Sequence, residues 1–113
     1  MAAAGVNNTD INARVGWYSK GGSAEDAGWS GSPIRFPLVQ GIDACGRIDA
    51  VGSGVSSARI GERVLVEPCL REAGGVPRDP PWFLGSECDG GFAEYVAVAS
   101  RHAYRVTSEL NDV

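Results

Sequence analysis

The chain has 113 residues, 43% hydrophobic and 21% charged, with ten basic and fourteen acidic side chains and a net charge of −4. This composition is typical of one soluble globular domain and excludes a disordered chain, and the even spread of charge predicts no nucleic-acid partner. No apolar run is long enough to cross a membrane and the first ten residues do not resemble a signal peptide, so we expect a cytoplasmic protein without a membrane partner.

The sixteen glycines and six prolines interrupt the chain often, which favours short strands and loops over long helices. Residues 2–6 form a short apolar run that fits the end of a strand. Residues 7–14 predict a short helix with Thr9 or Asn8 as its N-cap. Residues 19–33 are predicted to be a loop, because they contain four glycines and few periodic apolar positions.

The second half of the chain predicts further short strands. Residues 46–51 and 63–67 have strand patterns and are separated by a glycine turn. Residues 68–90 contain three prolines and are predicted to be a long loop. Residues 92–99 (FAEYVAVA) are the clearest strand pattern in the chain, and residues 102–106 are predicted to pair with them. This arrangement predicts a mainly β, barrel-like or sandwich domain without βαβ alternation.

Four segments, in matching order and spacing, resemble the N-terminal GroES-like catalytic domain of the medium-chain dehydrogenase/reductase family. They are GVNNTD at 5–10, PLVQGIDACGRIDAVGSGV at 37–55, IGERVLV at 60–66 and DGGFAEYVAV at 89–98. The resemblance implies a partly open GroES-like β-barrel with one or two short helices, as a single domain over residues 1–113. It also implies that the domain is truncated at both ends relative to the family and includes no Rossmann domain.

The resemblance implies no metal site in this chain. Zinc members of the family hold the catalytic zinc with a Cys in the first segment and a His in the second. The matching residues here are Asn7 and Ile42, neither of which is an effective zinc ligand. The loop that carries structural zinc in some members offers only Cys69 and Cys88. Metal binding through the three cysteines and the single histidine stays as a competing hypothesis.

The first segment is similar to the zinc-free branch of the family, which includes quinone oxidoreductases. That similarity implies that the substrate side of the catalytic cleft is lined by Asn7, Asp10, Tyr18 and Asp43. Each of these residues also has a structural interpretation. Asn7 and Asp10 could cap the short helix. Tyr18 could be a partly buried core aromatic, and Asp43 could be an ordinary turn residue.

The reaction that the resemblance implies is hydride transfer from NAD(P)H to a carbonyl or a conjugated double bond. In this family the cofactor is held by a Rossmann domain, which requires a strand, a GxGxxG loop and a helix in succession. The only similar segment, Gly52-Ser53-Gly54, lacks the third glycine and is followed by a turn and a strand. We therefore predict no cofactor-binding residue in the isolated chain.

Two hypotheses for the function follow. In the first, the chain is a partial catalytic domain of a zinc-free NAD(P)H-dependent alcohol dehydrogenase or quinone oxidoreductase-like protein, inactive or weakly active alone. In the second, it is a free-standing β-module for self-association or small-ligand binding. Unpaired sheet edges favour pairing between chains, so we predict a homodimer or a larger homo-oligomer. The single histidine, His102, is predicted to be a packed or surface residue with no acid nearby.

Overall fold

A computed structural model describes residues 1–15, 17 and 34–112, which fold into two antiparallel sheets and one α-helix. The strands are β1 (Ala3–Gly5), β2 (Asp43–Arg47), β3 (Arg63–Val66), β4 (Cys69–Ala73), β5 (Val76–Phe83) and β6 (Ala103–Arg105), and the helix is α1 (Asn8–Arg14). Two 3₁₀ helices cover Ser57–Arg59 and Ser100–His102. The prediction of a mainly β domain is confirmed, and across these described ranges the sheets do not close into a barrel.

The larger sheet has the strand order β1-β2-β3-β6, and its inner face carries the main core. In β3, Val64 and Val66 are buried whereas Leu65 between them is exposed, as expected for a strand with one solvated face. The core cluster consists of Ala44, Val66, Leu70 and Leu84. Leu70 belongs to β4, and Leu84 directly follows β5. The core therefore lies between the larger sheet and the β4–β5 hairpin.

Gly41, Gly90 and Gly91 allow two stretches of backbone to meet with no side chain between them. Residues 39–41 run against residues 90–92, joined by hydrogen bonds from the Gly90 N–H to the Val39 carbonyl (2.7 Å) and from the Phe92 N–H to the Gln40 carbonyl (2.9 Å). A Cβ placed on Gly90 would lie 2.4 Å from the Gly41 carbonyl oxygen. Only glycine permits such an approach.

The predicted strand over residues 63–67 is confirmed as β3, and the strand end predicted over residues 2–6 is confirmed as β1. The strand predicted over residues 46–51 is misplaced, because β2 is Asp43–Arg47. Its register is fixed by pairing with β1, in which Ala3 lies opposite Cys45. Ile48 then leaves the strand, although its N–H and C=O still bond to Glu62 and Gly61.

Two further predictions for the second half are wrong. The predicted loop over residues 68–90 contains the β4–β5 hairpin, whose turn is made by Gly74 and Gly75 with φ of 61° and 74°. β5 tolerates prolines because it belongs to a two-stranded sheet and has an outer edge, where a missing N–H breaks no ladder. The predicted strand over residues 92–99 is not a strand here, and β6 pairs with β3 instead.

The predicted loop over residues 19–33 and the candidate residue Tyr18 lie outside the described residues. Within the described part, no helix has the length and apolar character to span a bilayer.

Candidate functional site

The first candidate residue, Asn7, begins α1 as its N-cap, so the prediction of Thr9 or Asn8 for that role is wrong. The Asn7 side-chain oxygen accepts the Thr9 N–H at 2.7 Å, while its own backbone N–H donates to the Asp10 carboxylate at 3.1 Å. This reciprocal arrangement is a capping box, which satisfies donors that an isolated helix start leaves open. The structural interpretation of Asn7 and Asp10 as caps is therefore confirmed.

Asp10 also fixes the helix to the segment that leads into β2. Its side chain is buried, and its second carboxylate oxygen accepts the Ile42 N–H at 3.1 Å. The Gln40 side-chain amide donates to the Asp10 main-chain carbonyl, also at 3.1 Å. A carboxylate that accepts a backbone amide at each of its two oxygens acts as a rigid joint between the two segments.

Asp43 completes the cluster from the first position of β2. The Asn7 side-chain Nδ2 donates to Asp43 Oδ2 at 2.5 Å, so the two side chains hold each other across elements 36 residues apart. Asp43 is exposed, and its Oδ1 has no hydrogen-bond partner among the residues described. The structure therefore brings Asn7, Asp10 and Asp43 together, and leaves one carboxylate oxygen open to solvent.

The space around this cluster restricts where a substrate could bind. The closed space beside Asp10 has a volume of about 10 Å³ and is lined by residues that include Thr9, Ile42 and Leu84. That volume is at the lower limit for a single water molecule. Among the described residues, this space is too small for a substrate, whereas Asp43 is exposed to solvent.

The donor set of the cluster does not fit zinc. Both polar atoms of the Asn7 side chain are used within the fold, Ile42 offers none, and one carboxylate alone does not hold the metal. Across the described ranges there is no group of three or more His, Cys, Asp or Glu side chains that could hold a metal ion.

The cysteines that match the family's structural zinc loop are free thiols in this fold. Cys69 lies opposite Phe83 across the hairpin, and the Cys88 thiol lies 4.0 Å from the Phe83 carbonyl oxygen. Burial raises the pKa of the Cys88 thiol, and the neighbouring carboxylates of Glu87 and Asp89 raise it further. A thiol kept protonated in this way is a poor metal ligand and a poor nucleophile.

We expect this raised pKa to appear in the pH dependence of Cys88 alkylation. At neutral pH the native protein holds a smaller thiolate fraction at Cys88 than the unfolded chain, so iodoacetamide should react several-fold more slowly with the native form. The stability that the protonated Cys88 thiol contributes is fully present below the pKa that Cys88 has in the unfolded chain. It is lost as the pH rises through the raised pKa of Cys88 in the folded protein. Peptide mapping by mass spectrometry follows Cys88 separately, and equal pH profiles in native and unfolded protein would contradict the prediction.

We expect Asn7→Ala to destabilise the protein by about 1–2 kcal/mol, because it removes an N-cap together with the hydrogen bond to Asp43. Asn8→Ala is the matched control, since the neighbouring Asn8 side chain is exposed and caps nothing. Urea unfolding measures both variants. Equal midpoints for the two variants would show that the capping box contributes little.

A second polar cluster was missed by sequence reasoning, because its members are 30–35 residues apart. His102 is 1% exposed, and its Nδ1 lies 2.7 Å from Glu67 Oε2. The Glu72 backbone N–H donates to its Nε2 at 3.3 Å. The prediction of a packed histidine is confirmed, whereas the prediction that no acid lies nearby is wrong. The Nε2 lone pair accepts a bond, so the neutral ring carries its proton on Nδ1 and donates it to Glu67.

The open sheet, the capping box at α1 and the close approach of glycine backbones define a small β-domain of the GroES-like type. Residues 1–108 match the alcohol dehydrogenase GroES-like domain family. This chain therefore belongs to that family, as the resemblance of its four segments predicted.

Curated relatives and solved structures agree with this assignment. The chain is 40% identical over 86 residues to the starvation-sensing protein RspB of Escherichia coli K12, covering 69% of this chain and 25% of that protein. It is 32% identical over 111 residues to a quinone oxidoreductase of Lama guanicoe, covering 98% of this chain and 24% of that protein. The crystal structure of the alcohol dehydrogenase RspB from Escherichia coli CFT073, complexed with cofactor NADH, superposes with a TM-score of 0.70 at 30% identity over 96% of this chain and 30% of that chain. The chain thus spans about a quarter of the length of the curated relatives it matches.

Proposed function

We propose that this chain forms the substrate-side part of the catalytic domain of a zinc-independent, NAD(P)H-dependent alcohol dehydrogenase or quinone oxidoreductase-like enzyme. The observation that supports the proposal is that Asn7 bonds to Asp43 at the start of α1, where the Ile42 N–H also donates to Asp10. Two of these positions match the places where zinc members of the family carry ligands. Here Asn7 provides an amide that is already hydrogen-bonded within the fold, and Ile42 provides an apolar side chain. Beside them, the Asp43 carboxylate has one oxygen without a partner among the described residues. Such a set can orient a polar substrate group but cannot hold a Lewis-acid metal.

The chain's own residues contribute binding and orientation in this proposal. Asp43 Oδ1 accepts a hydrogen bond from a hydroxyl group of an alcohol substrate or product, while the Asn7 amide fixes the carboxylate through the other oxygen. Asp10 keeps the helix start and the β2 segment in place. NAD(P)H supplies the hydride when it is bound.

The described residues of this chain do not fit the dinucleotide itself. The turn at Gly52–Gly54 leads into a 3₁₀ helix of three residues, Ser57–Arg59, which offers no helix N-terminus for a pyrophosphate. We infer that the cofactor is held by residues that this chain does not contribute. The isolated chain should therefore turn over little or no substrate.

Calorimetric titration of the 113-residue chain with NADPH, with a quinone-reduction assay on the same sample, tests this proposal. We expect a dissociation constant no tighter than about 1 mM, which corresponds to about 4 kcal/mol of binding free energy, and no measurable NADPH oxidation. Micromolar binding or steady turnover would overturn the inference that the cofactor is held elsewhere.

Zinc independence needs its own measurement. The chain is incubated with an excess of Zn²⁺, dialysed and analysed for metal content, and we expect less than about one zinc in ten chains because no three ligands converge among the residues that the structure describes. Stoichiometric zinc that survives dialysis would contradict the zinc-independent assignment and favour the metal-binding hypothesis.

The alternative function, self-association, is supported by the terminal strands of the larger sheet. β1 and β6 are the two edges of this sheet, and Tyr104 of β6 lies opposite Leu65 of β3 with both side chains exposed. Edge strands with apolar neighbours pair readily with another chain, so we propose a homodimer or larger homo-oligomer in the cytoplasm, where the three free thiols stay reduced. A monomeric mass by light scattering at micromolar concentration would contradict it.

A further inference from the structure

A shallow cleft lies at the end of the larger sheet where β2 and β6 end and β3 begins. Its volume is about 580 Å³, and its lining includes three arginines, Arg47 of β2, Arg63 of β3 and Arg105 of β6. Asp43 of the candidate functional site lies at the other end of β2, roughly 13 Å from Arg47 along the strand. The arginine cleft is therefore separate from the candidate functional site.

The register of the sheet brings the positive charges of this cleft together. Arg47 lies directly opposite Arg63 across the β2–β3 pair. Val64, the next residue of β3, lies opposite Arg105 of β6. Like charges that face each other across two strands destabilise the pair. Because the whole chain has a net charge of −4, this local excess of positive charge stands out and calls for an anion.

The acidic side chains around the arginine cleft are already bound. Arg63 Nε donates to Asp112 Oδ1 at 2.6 Å, and Arg63 Nη1 donates to the Ser108 carbonyl at 2.9 Å. Glu62, the acidic residue of the described lining, forms an ion pair with Arg59 at 2.9 Å. Each of these two pairs is neutral, so neither acid balances the charge of the other two arginines.

Arg47 and Arg105 are left without a counter-ion in the described part of the chain. Arg47 is exposed, and its Nη1 donates to the neutral Gly61 carbonyl at 3.1 Å, which leaves most of its N–H donors open. The exposed Arg105 side chain forms no ion pair with any residue in the described ranges. Asp49, two residues beyond Arg47, does not line the cleft. The cleft therefore presents two open guanidinium groups to solvent.

We propose that this cleft binds a phosphate group, either free phosphate or the phosphate of a monoester. A phosphate monoester carries a charge of about −1.5 to −2 at neutral pH, which matches the two guanidinium groups without a counter-ion. Planar guanidinium groups suit the paired oxygens of a phosphate, and the Thr107 and Ser108 hydroxyls in the lining can donate to a further oxygen. A single carboxylate would balance one charge and leave the other open.

NMR titration of the 113-residue chain at constant ionic strength tests the proposal with inorganic phosphate and with phenyl phosphate. We expect saturable shifts of the Arg47 and Arg105 side-chain signals with a dissociation constant of about 1–10 mM, because salt screens contacts at an exposed site. Benzenesulfonate has the same ring with one negative charge and should bind at least about fivefold more weakly than phenyl phosphate. No saturation with either phosphate compound by about 50 mM would overturn the proposal.

The two phosphate compounds also identify the source of the phosphate group. Tighter binding of phenyl phosphate supports a monoester whose organic part contacts the cleft, whereas equal or weaker binding of the ester supports free phosphate. The competing occupant is an acidic segment of another protein. A Glu-Asp-Glu-Asp peptide that bound at least about tenfold more tightly than both phosphate compounds would indicate a protein contact and overturn the proposal.

Arginine variants assign the binding to the cleft. Arg47→Gln and Arg105→Gln each remove one open guanidinium group, and each should weaken phenyl phosphate binding by at least about fivefold. Arg71→Gln is the matched control, because the exposed Arg71 of β4 loses the same charge outside the cleft, and it should change the affinity by less than about twofold. Equal weakening by all three variants would show a general effect of net charge and would overturn the assignment.

Thermal unfolding separates a ligand site from a structural role of the arginines. Without phosphate, Arg47→Gln should be at least as stable as the unsubstituted chain, because it removes the repulsion with Arg63. Saturating phosphate should raise the midpoint of the unsubstituted chain by about 3 °C or more and raise that of Arg47→Gln much less. An equal rise in both would show a general salt effect and contradict the proposal. None of these measurements involves a cofactor, so their failure is distinguishable from a failure of the proposed dehydrogenase role.

Discussion

Gly90→Ala is expected to destabilise the protein by at least about 3 kcal/mol, which is a large part of the stability of a small domain. The new methyl carbon would lie 2.4 Å from the Gly41 carbonyl oxygen, 2.7 Å from the Gly85 Cα and 2.8 Å from the Gln40 carbonyl oxygen. All three atoms belong to the backbone, so no side chain can rotate away to relieve the contact.

The backbone shift needed to accept that methyl group would also break hydrogen bonds. The Gly90 N–H, the Gly91 N–H and the Phe92 N–H all donate to residues 39–41, at 2.7–2.9 Å. These bonds hold the segment before β2 against the chain that follows the hairpin. We therefore expect Gly90→Ala to loosen the connection between the larger sheet and the core beneath it.

Gly54→Ala is the matched control for this prediction. No atom lies within 4 Å of a Cβ at Gly54, and its φ is not positive. The same substitution there should be neutral or stabilise the protein by up to about 1 kcal/mol, because alanine lowers the entropy of the unfolded chain. Urea unfolding of the two variants decides the matter, and a loss below about 1 kcal/mol for Gly90→Ala would refute the expectation.

The sequence predicts some of the structural roles of glycine in this chain but not all of them. Turns at single positions such as Gly61 and Gly74 are local, and the sequence around them indicates a turn. The contact of Gly41, Gly85 and Gly90 joins segments up to 49 residues apart, so no local pattern carries it. Long-range approach of backbones is a property of the fold, which single-sequence reasoning reaches only through the resemblance to a family.

The same distinction explains which strands were predicted correctly. Residues 63–67 have a strand pattern and also have neighbours on both sides, so pattern and pairing agree in β3. Residues 92–99 have a clearer strand pattern, yet they form no strand, because a strand needs a hydrogen-bonding partner as well as a pattern.

The candidate site was predictable in part for a similar reason. Asn7 and Asp10 are three residues apart, which is the spacing of a capping box, so capping was one of the two interpretations that the sequence left open, although Thr9 or Asn8 was the predicted N-cap. The contact of Asn7 with Asp43 came only from the family resemblance, since 36 residues separate the two. The Glu67–His102 pair had neither signal and was missed.

That pair leads to the second large effect. His102→Ala is expected to destabilise the protein by about 3 kcal/mol, because it opens a cavity at a buried position and leaves the Glu72 N–H without an acceptor. The ring joins the Ser100–His102 turn before β6 to β4, at the point where the register of the β4–β5 hairpin shifts between Leu70 and Glu72. Hydrogen exchange in β4 should therefore rise more than exchange in β2.

Two variants separate the role of the ring from that of charge. Arg101→Ala removes an exposed neighbour whose contact with Glu72 is 3.9 Å long, and should cost less than about 0.5 kcal/mol. Glu67→Gln keeps an oxygen to accept the Nδ1 proton and removes only the negative charge, so it should cost about 1 kcal/mol. If Glu67→Gln were as damaging as His102→Ala, the negative charge of Glu67 would be the main source of stability. The expected order, in which the histidine ring matters most, follows from its two hydrogen bonds and complete burial.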